Sequence, residues 1–478
     1  MTASVQPGGP NRNTVEGGAP NPWSVLVLTS LPIFAVSLDT TVLYVAFRDL
    51  QRTFRSVSAV ELSWVLNAYT IVFGALLVTA GRLADRVGRK RTFLWGAAIF
   101  TLASALCGLA PSAGLLIAAR VLQAVGAAML MPTSLALILA AFPREKRPMA
   151  ISIWGAVGAL AAAVGPAVGS AIVQSVGWRW TFYLNLPIGI FALLRARTRI
   201  AESAEAAQGR LPDALGVALA IASPALLALG IIEARAWGPA SFKTVATLGG
   251  SMILLAILIV EASRSRAPVI DLTLFRDRNY RLANWASLVF SIAFSGMFFG
   301  LILFMTQVWG YSILATGLSM TPGPLSVIGF AIIAGRVATK RGHRGLLLVG
   351  GIAFAMAALL LLLFVTERPA FLLLFLPTAI LFGMGVGFVL PSLSSVAAHG
   401  LPADRFALGV AVNQAIRQVG SMLGVAFVVA LVARASAGTV LPFRGVFTLL
   451  VVGGLLTGLL GSLVRTAPLR SGEKAVEL

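Results

Sequence analysis

The 478-residue chain is short of charge and shortest of acids: only 11% of residues are Asp, Glu, Lys or Arg, 17 acids stand against 37 bases, and 58% are hydrophobic. Soluble domains carry about 25% charged residues, so this balance excludes an ordinary soluble protein and makes lipid the expected solvent. The single cysteine, Cys107, excludes an intrachain disulfide and leaves the redox compartment open. The two histidines, His343 and His399, lack metal-ligand spacing, which excludes an ordinary metal site. No Gly-x-x-x-x-Gly-Lys-Ser/Thr occurs, which excludes ATP hydrolysis at a P-loop. Gly383-Met-Gly-Val-Gly387 lies inside an apolar run with no strand before it and reads as helix packing. With no catalytic constellation in view, no enzyme is expected, and no cofactor.

A net charge of +20 would suggest nucleic acid in a soluble chain. Here the charges sit in short clusters between apolar runs of about 20 residues, each long enough to span hydrocarbon as a helix, and no basic helix face appears. Nucleic acid is therefore not an expected partner. The runs lie near 23–47, 61–80, 92–110, 113–141, 148–175, 181–197, 212–233, 242–262, 282–308, 315–338, 345–366, 370–398, 405–433 and 443–464, fourteen in all. Residues 1–22, rich in Pro, Gly and Asn, read as a disordered cytoplasmic tail, and 466–478 as a second tail. Fourteen crossings put both termini on one side. With that side cytoplasmic, 26 of the 37 Lys and Arg fall inside, as the positive-inside rule favours. Arg48, Arg52 and Arg55 dissent, since they follow the first helix on the outer side. Trp178, Trp180, Trp237, Trp309 and Tyr311 are expected at the membrane interface.

Self-comparison finds a repeat. Gly81-Arg-Leu-Ala-Asp-Arg-Val-Gly-Arg-Lys90 recurs, degraded, as Gly335-Arg-Val-Ala-Thr-Lys-Arg-Gly-His-Arg344, and Met131-Pro-Thr-Ser and Phe142-Pro-Arg-Glu are echoed by Leu390-Pro-Ser-Leu and Leu401-Pro-Ala-Asp. The expected fold is all-α integral membrane: a six-helix bundle at 23–200, a linker with two inserted helices at 201–265, and a second six-helix bundle at 266–465. Parallel halves of this kind bind substrate near the midplane between them.

Gly81 to Arg91 reads as an inter-helix turn flanked by glycines, with Asp85 placed to cap or accept hydrogen bonds at a neighbouring helix N-terminus and five bases holding the segment in the cytosol. A purely topology-setting basic loop is the plainer alternative. Gly158, Ala162, Gly165 and Gly169 recur three or four apart in the fifth span, which bares one face for a close partner helix, and Pro166 adds a kink. Ordinary small-residue packing gives the same pattern.

These stretches together resemble the major facilitator superfamily, and within it the fourteen-helix drug:proton antiporter branch. Gly81-x-Leu-Ala-Asp-Arg-x-Gly-Arg-Lys-Arg is similar to the family's loop between helices two and three. By that resemblance Gly81, Asp85, Arg86, Gly88 and Arg89 form a cytoplasmic latch. The second copy has Thr339 where the acid would stand, so the latch is expected on one side only. Leu38-Asp-Thr-Thr-Val resembles the branch's first-helix acidic motif, with Tyr44 and Phe47-Arg48 departing from it. Arg120-Val-Leu-Gln-Ala-Val-Gly resembles its fourth-helix arginine motif. Gly165-Pro166-Ala-Val-Gly169, followed by Trp178-Arg-Trp and Asn185-Leu-Pro187, resembles its fifth-helix antiporter motif.

Asp39 is the one acid well inside a span, and a carboxylate in lipid is functional by default. Counted along their helices, Asp39 and Arg120 lie at similar depth and can face each other. Burial favours the protonated carboxyl and a neighbouring Arg120 the ionised one, so Asp39 with Arg120 is the expected proton-coupling pair. A static ion pair is the alternative. Asn413, Gln414, Arg417 and Gln418 form a mid-depth polar cluster that lines a cavity or bonds another helix. Asn67, Tyr69, Gln123 and Gln307 are further cavity candidates. One intramembrane acid against Arg120 and Arg417 suits neutral, zwitterionic or anionic substrates better than dications.

The expected function is proton-coupled export of small amphiphilic molecules or antibiotics by alternating access. The proton is the coupling ion, and the unit is monomeric in the plasma membrane with both termini cytoplasmic. An uptake symporter, or a scaffold or receptor of the same fold, is the alternative.

Overall fold

A computed structural model describes residues 21–202, 211–398, 401, 405–432 and 438–465. Most of the two expected tails, residues 203–210 of the linker, His399 and residues 402–404 of the second-half echo lie outside the described residues. The described chain is helical throughout: α1 Pro22–Thr53, α2 Ala59–Val87, α3 Arg89–Leu109, α4 Ala113–Ala141, α5 Arg147–Val176, α6 Arg179–Tyr183, α7 Asn185–Arg199, α8 Ala214–Trp237, α9 Phe242–Arg264, α10 Arg278–Gln307, α11 Ile313–Met320, α12 Pro322–Arg341, α13 Arg344–Phe364, α14 Leu376–Ala398, α15 Phe406–Val432 and α16 Leu441–Ser462. Helix starts follow the local sequence. Asn21 caps α1 ahead of Pro22, Ser58 and Glu61 form a capping box on α2, and Ser112, Ser241, Asp277 and Ser312 cap α4, α9, α10 and α11.

Among the described residues thirteen stretches are long and apolar enough to cross a bilayer, with α11 and α12 counting as one and a π turn at Phe371–Phe375 leading into α14. The fourteenth crossing is α6 with α7. Leu184 between them keeps helical φ and ψ of −56° and −30°, so residues 179–199 rise about 31 Å at 1.5 Å per residue. The chain is an all-α multi-pass membrane protein.

The apolar runs understate the helices. Hydrocarbon limits where charges sit, whereas the backbone hydrogen bonds continue into the headgroup region. Thus α1 runs to Thr53, and Gly81 to Arg91 is not a loop: α2 continues to Val87, Gly88 alone makes the turn, and α3 starts at Arg89. Gly88 needs its missing side chain, because φ is +118° there. The degraded copy folds the same way, with α12 running to Arg341 and Gly342 turning the chain at φ +73°.

The repeat extends to packing. In the first half α1 packs on α4, α5 and α7, α3 on α4 and α7, and α2 on α4. In the second, α10 packs on α14, α15 and α16, α13 on α14 and α16, and α12 on α14. Corresponding glycines permit corresponding close approaches: a Cβ at Gly126 would sit 2.5 Å from the Phe100 nitrogen, and one at Gly385 2.8 Å from the Phe354 Cβ. The halves meet at two equivalent seams, α2 against α15 and α5 against α11. Helices α8 and α9 have no counterpart. They pack on each other, α8 also leans on α2 and α15, and α9 turns Met252, Ile253, Ile257, Ile259 and Val260 outward as a lipid-facing surface.

The aromatic belt is thinner than expected. Trp178 and Trp309 are buried, their indoles donating to Thr53 Oγ1 and the Thr366 carbonyl, while Trp180 stays exposed.

Candidate functional site

Five helices of the first half converge on Asp39. Its side chain and that of Arg120 are each 1% exposed, and Arg120 Nη1 donates to Asp39 Oδ2 at 2.5 Å. The other carboxylate oxygen, Oδ1, accepts from Gln123 Nε2 at 3.1 Å and from Asn185 Nδ2 at 3.2 Å. Both amides also reach Ser104 Oγ, at 2.8 and 3.4 Å. Arg120 is fixed in turn: Nη1 donates to Gln123 Oε1 at 2.6 Å, Nε to the Val65 carbonyl at 3.1 Å, and the guanidinium lies 4.0 Å over the Tyr69 ring. A buried ion pair is tolerable only when its remaining donors and acceptors are met, and here α1, α2, α3, α4 and α7 each supply one or more groups.

The facing of Asp39 and Arg120 agrees with the sequence expectation, whereas Gln123, a cavity candidate by sequence, bonds both members of the pair. Asn185 and Ser104 were missed as ligands of the carboxylate. Asn185 was visible only as part of the resemblance after the fifth helix, and a lone serine inside an apolar helix gives no signal. Tyr69 serves as the platform under Arg120, and among the described residues neither its hydroxyl nor the two buried side-chain polar atoms of Asn67 find a partner.

The other candidates separate. Asn413 does not line a cavity: it is buried and donates to Asn284 Oδ1 at 3.0 Å and Ser287 Oγ at 3.1 Å, tying α15 to α10. Gln307 is the last residue of α10, and its carbonyl accepts from Gly438 N at 3.0 Å. Gln414 and Arg417 are half-buried on α15. Gln418 packs against Gly74 of α2, where an added Cβ would meet its Cβ at 2.8 Å.

The fifth-helix glycines press on α1. A Cβ at Gly165 would collide with the Thr41 hydroxyl, and one at Gly169 would lie 2.7 Å from Val42. Gly158 faces Ser37 at 3.5 Å. Next to them, Pro166 and Ser170 receive Gly317 of α11 so closely that a Cβ there would collide with both. The motif thus lies where the first half meets the second. At the end of the bundle where α1 stops, Arg48 Nη1 donates to the Thr306 carbonyl at 2.6 Å, Leu314 N to Gln174 Oε1 at 2.9 Å, and Tyr44 and Phe47 pack tilted and edge-on against Phe299. This end of the seam between the halves is closed.

At the opposite end Asp85 accepts from Arg89 at 3.3 Å, while Arg86 is exposed and a Cβ at Gly81 would meet Pro132 at 3.8 Å. Arg89 opens α3, so Asp85 accepts hydrogen bonds at that helix's N-terminus without capping its backbone N–H groups. That position is taken by Glu202, unforeseen in the sequence, whose carboxylate accepts from Lys90 N at 2.9 Å and Arg91 N at 3.2 Å at the start of α3. Gly88 makes room for it, since a Cβ would lie 2.8 Å from that carboxylate.

Two helical halves with matched packing, sealed at one end and holding a buried charge pair in a membrane-spanning chain, define a solute transporter rather than an enzyme. The chain belongs to the major facilitator superfamily, whose family description matches residues 29–425. It is 34% identical over 418 residues to the Multidrug resistance protein Stp of Mycobacterium tuberculosis, covering 87% of this chain and 77% of the relative. It is 29% identical over 437 residues to the Tetracenomycin C resistance and export protein of Streptomyces glaucescens (91% and 80%). It is 30% identical over 428 residues to the Methylenomycin A resistance protein of Streptomyces coelicolor (89% and 87%).

Proposed function

We propose that the protein is a proton-coupled antiporter that exports small amphiphilic molecules, antibiotics among them, by alternating access. The observation that carries this reading is the Asp39 carboxylate, buried and bonded on both oxygens, as the one acid deep in either half. In the coupling scheme, separation of Arg120 from Asp39 turns the carboxyl into a proton acceptor in a medium that penalises its charge, and re-formation of the pair expels the proton. The resistance and export relatives support the direction of transport. Residues 23–200 and 266–465 act as the two moving units around 201–265, with Gly81, Asp85, Arg86, Gly88 and Arg89 as the inner latch and Gly158, Gly165, Pro166 and Gly169 as the outer seam. The charge distribution supports a plasma-membrane location with both termini cytoplasmic. The unit is a monomer that needs no cofactor besides the proton and takes no nucleic acid.

Everted vesicles with an imposed inward-acid gradient test this. Wild type accumulates substrate only while the gradient stands, and Asp39→Asn, present in the membrane at normal level, does not. Gradient-driven accumulation by Asp39→Asn would sink the coupling role of Asp39. Accumulation driven only by the opposite gradient would mark an uptake symporter instead.

A further inference from the structure

Arg417 lies 11 residues past the start of α15, about 16 Å from its inner end at 1.5 Å per residue. The surroundings of α15 fix where it looks. Asn413, Gly420 and Gly424 press on α10, at Asn284, Ser291 and Ser295. Ala415 and Gln418 meet Gly74 of α2. At 3.6 residues per turn these faces are nearly opposite. Helix α8 packs on both α2 and α15, and its Ile231 and Ala234 share a cavity wall with Phe427, Ala430 and Leu431 of α15, so it covers the arc on that side. Gln414, Arg417 and Ser421, all half-buried, lie on the other arc. Since α2 belongs to the first half and α10 to the second, that arc opens on the space between the halves.

The Arg417 guanidinium makes no hydrogen bond or ion pair with any described residue. Asp39, the acid deep in the first half, is committed to Arg120. A permanent cation at mid-membrane without an internal counter-ion is costly, and a ligand that supplies the missing anion recovers that cost. The planar fork of arginine matches a carboxylate in two parallel bonds. An apolar wall lies farther out in line with it. On α10, Ser287, Ser291, Phe294 and Phe298 are spaced 4, 3 and 4 and share a face, Asn413 and Gly420 of α15 seat on Ser287 and Ser291, and Phe294 and Phe298 then line a cavity of about 30 Å³ with Phe382 and Met320. The register places this wall about 6–12 Å outward of Arg417.

We propose that Arg417 is a substrate-binding residue and that the substrates are organic anions, with an acidic group held by Arg417 and an aromatic body against Phe294 and Phe298. This rests on the export reading and names its substrate class. Two xanthene dyes of like frame and opposite charge test it, fluorescein as the anion and rhodamine 123 as the cation, by fluorescence anisotropy with purified protein and by gradient-driven uptake into everted vesicles. Wild type binds fluorescein more tightly than rhodamine 123. Arg417→Gln weakens fluorescein by about 10- to 100-fold, the value of a charged hydrogen-bonded contact, and leaves rhodamine 123 unchanged. Arg417→Lys retains part of the fluorescein affinity. No fluorescein binding by wild type, no effect of Arg417→Gln, or equal loss for both dyes would overturn the assignment, and rhodamine 123 uptake by wild type without fluorescein binding would overturn it while the export reading stands. Fluorescein binding lost in Arg417→Gln without gradient-driven uptake by wild type would support the site and sink the export reading.

Discussion

The Asp39–Arg120 pair is asymmetric, and the asymmetry is measurable as stability. Asp39→Asn strands a cation that cannot lose its proton. Arg120 then keeps the Val65 carbonyl, Gln123 Oε1 and the Tyr69 and Phe182 rings, and the new amide can present a donor to a donor. Removing one partner of a buried pair in this way costs about 3–5 kcal/mol. Arg120→Gln leaves Asp39 with the Gln123 and Asn185 amides at 3.1 and 3.2 Å and with the option of taking up a proton. Its cost is that of lost hydrogen bonds, about 1–3 kcal/mol. The double variant Asp39→Asn/Arg120→Gln holds no charge and recovers part of the loss of Asp39→Asn. Thermal unfolding of purified protein in one detergent, followed by tryptophan emission, gives the order: wild type, then Arg120→Gln, then the double variant above Asp39→Asn. Arg120→Gln falling below Asp39→Asn, or a double variant equal to the sum of the singles, would show that the two side chains are not one energetic unit.

Gly165→Val forces α1 from α5 at Thr41, an overpacking cost of about 1–3 kcal/mol; efflux falls at normal membrane abundance, whereas Gly155→Val, with open space at its Cβ, leaves efflux intact. Gly88→Ala meets both an unfavourable φ of +118° and the Glu202 carboxylate, so it lowers the unfolding temperature more than Gly342→Ala, at φ +73°, or Glu202→Gln. Arg48→Gln removes the bond to the Thr306 carbonyl that joins the halves at the outer end; a cysteine at Tyr44, buried at 7% exposure, then reacts faster with an impermeant maleimide from outside. An unchanged rate would show that Arg48 does not hold that end shut.

Much of the architecture was legible because hydrocarbon imposes a length on apolar runs and the repeat could be read by eye from two basic segments. Depth counting along two helices sufficed to face Asp39 with Arg120, since an acid and a base in lipid have few other ways to be satisfied. Helix ends were less legible. Arg52, Asp85 and Arg86 end an apolar run yet continue a helix, because charge bounds the membrane and not the hydrogen-bonded spiral. Asn413 was equally ambiguous: from one helix a buried amide looks the same whether it faces a cavity or, as here, another amide on α10. Glu202 gave no signal at all, since an acid in a linker gains meaning only when the fold returns it to the start of α3, over a hundred residues earlier.

The two glycine turns separate backbone geometry from chemistry. Gly88 and Gly342 hold the same place in the two copies, and both take a positive φ that lets one helix stop and the next begin without a loop. Geometry alone therefore does not need Asp85, because Thr339 occupies its place in the second copy and bonds only back to the Arg336 carbonyl. The first turn adds a carboxylate on each side: Asp85 on Arg89, and Glu202 on the free backbone N–H groups that open α3. Both acids face a run of bases whose mutual repulsion would otherwise splay the turn. Glu202 also comes from the segment leading to the inserted helices, so it ties that segment to the first half. The second turn bonds instead through His343 to Ser395 of α14. The two turns therefore share a backbone and differ in chemistry: two carboxylates stand against the bases of the first, whereas a histidine–serine bond ties the second to α14.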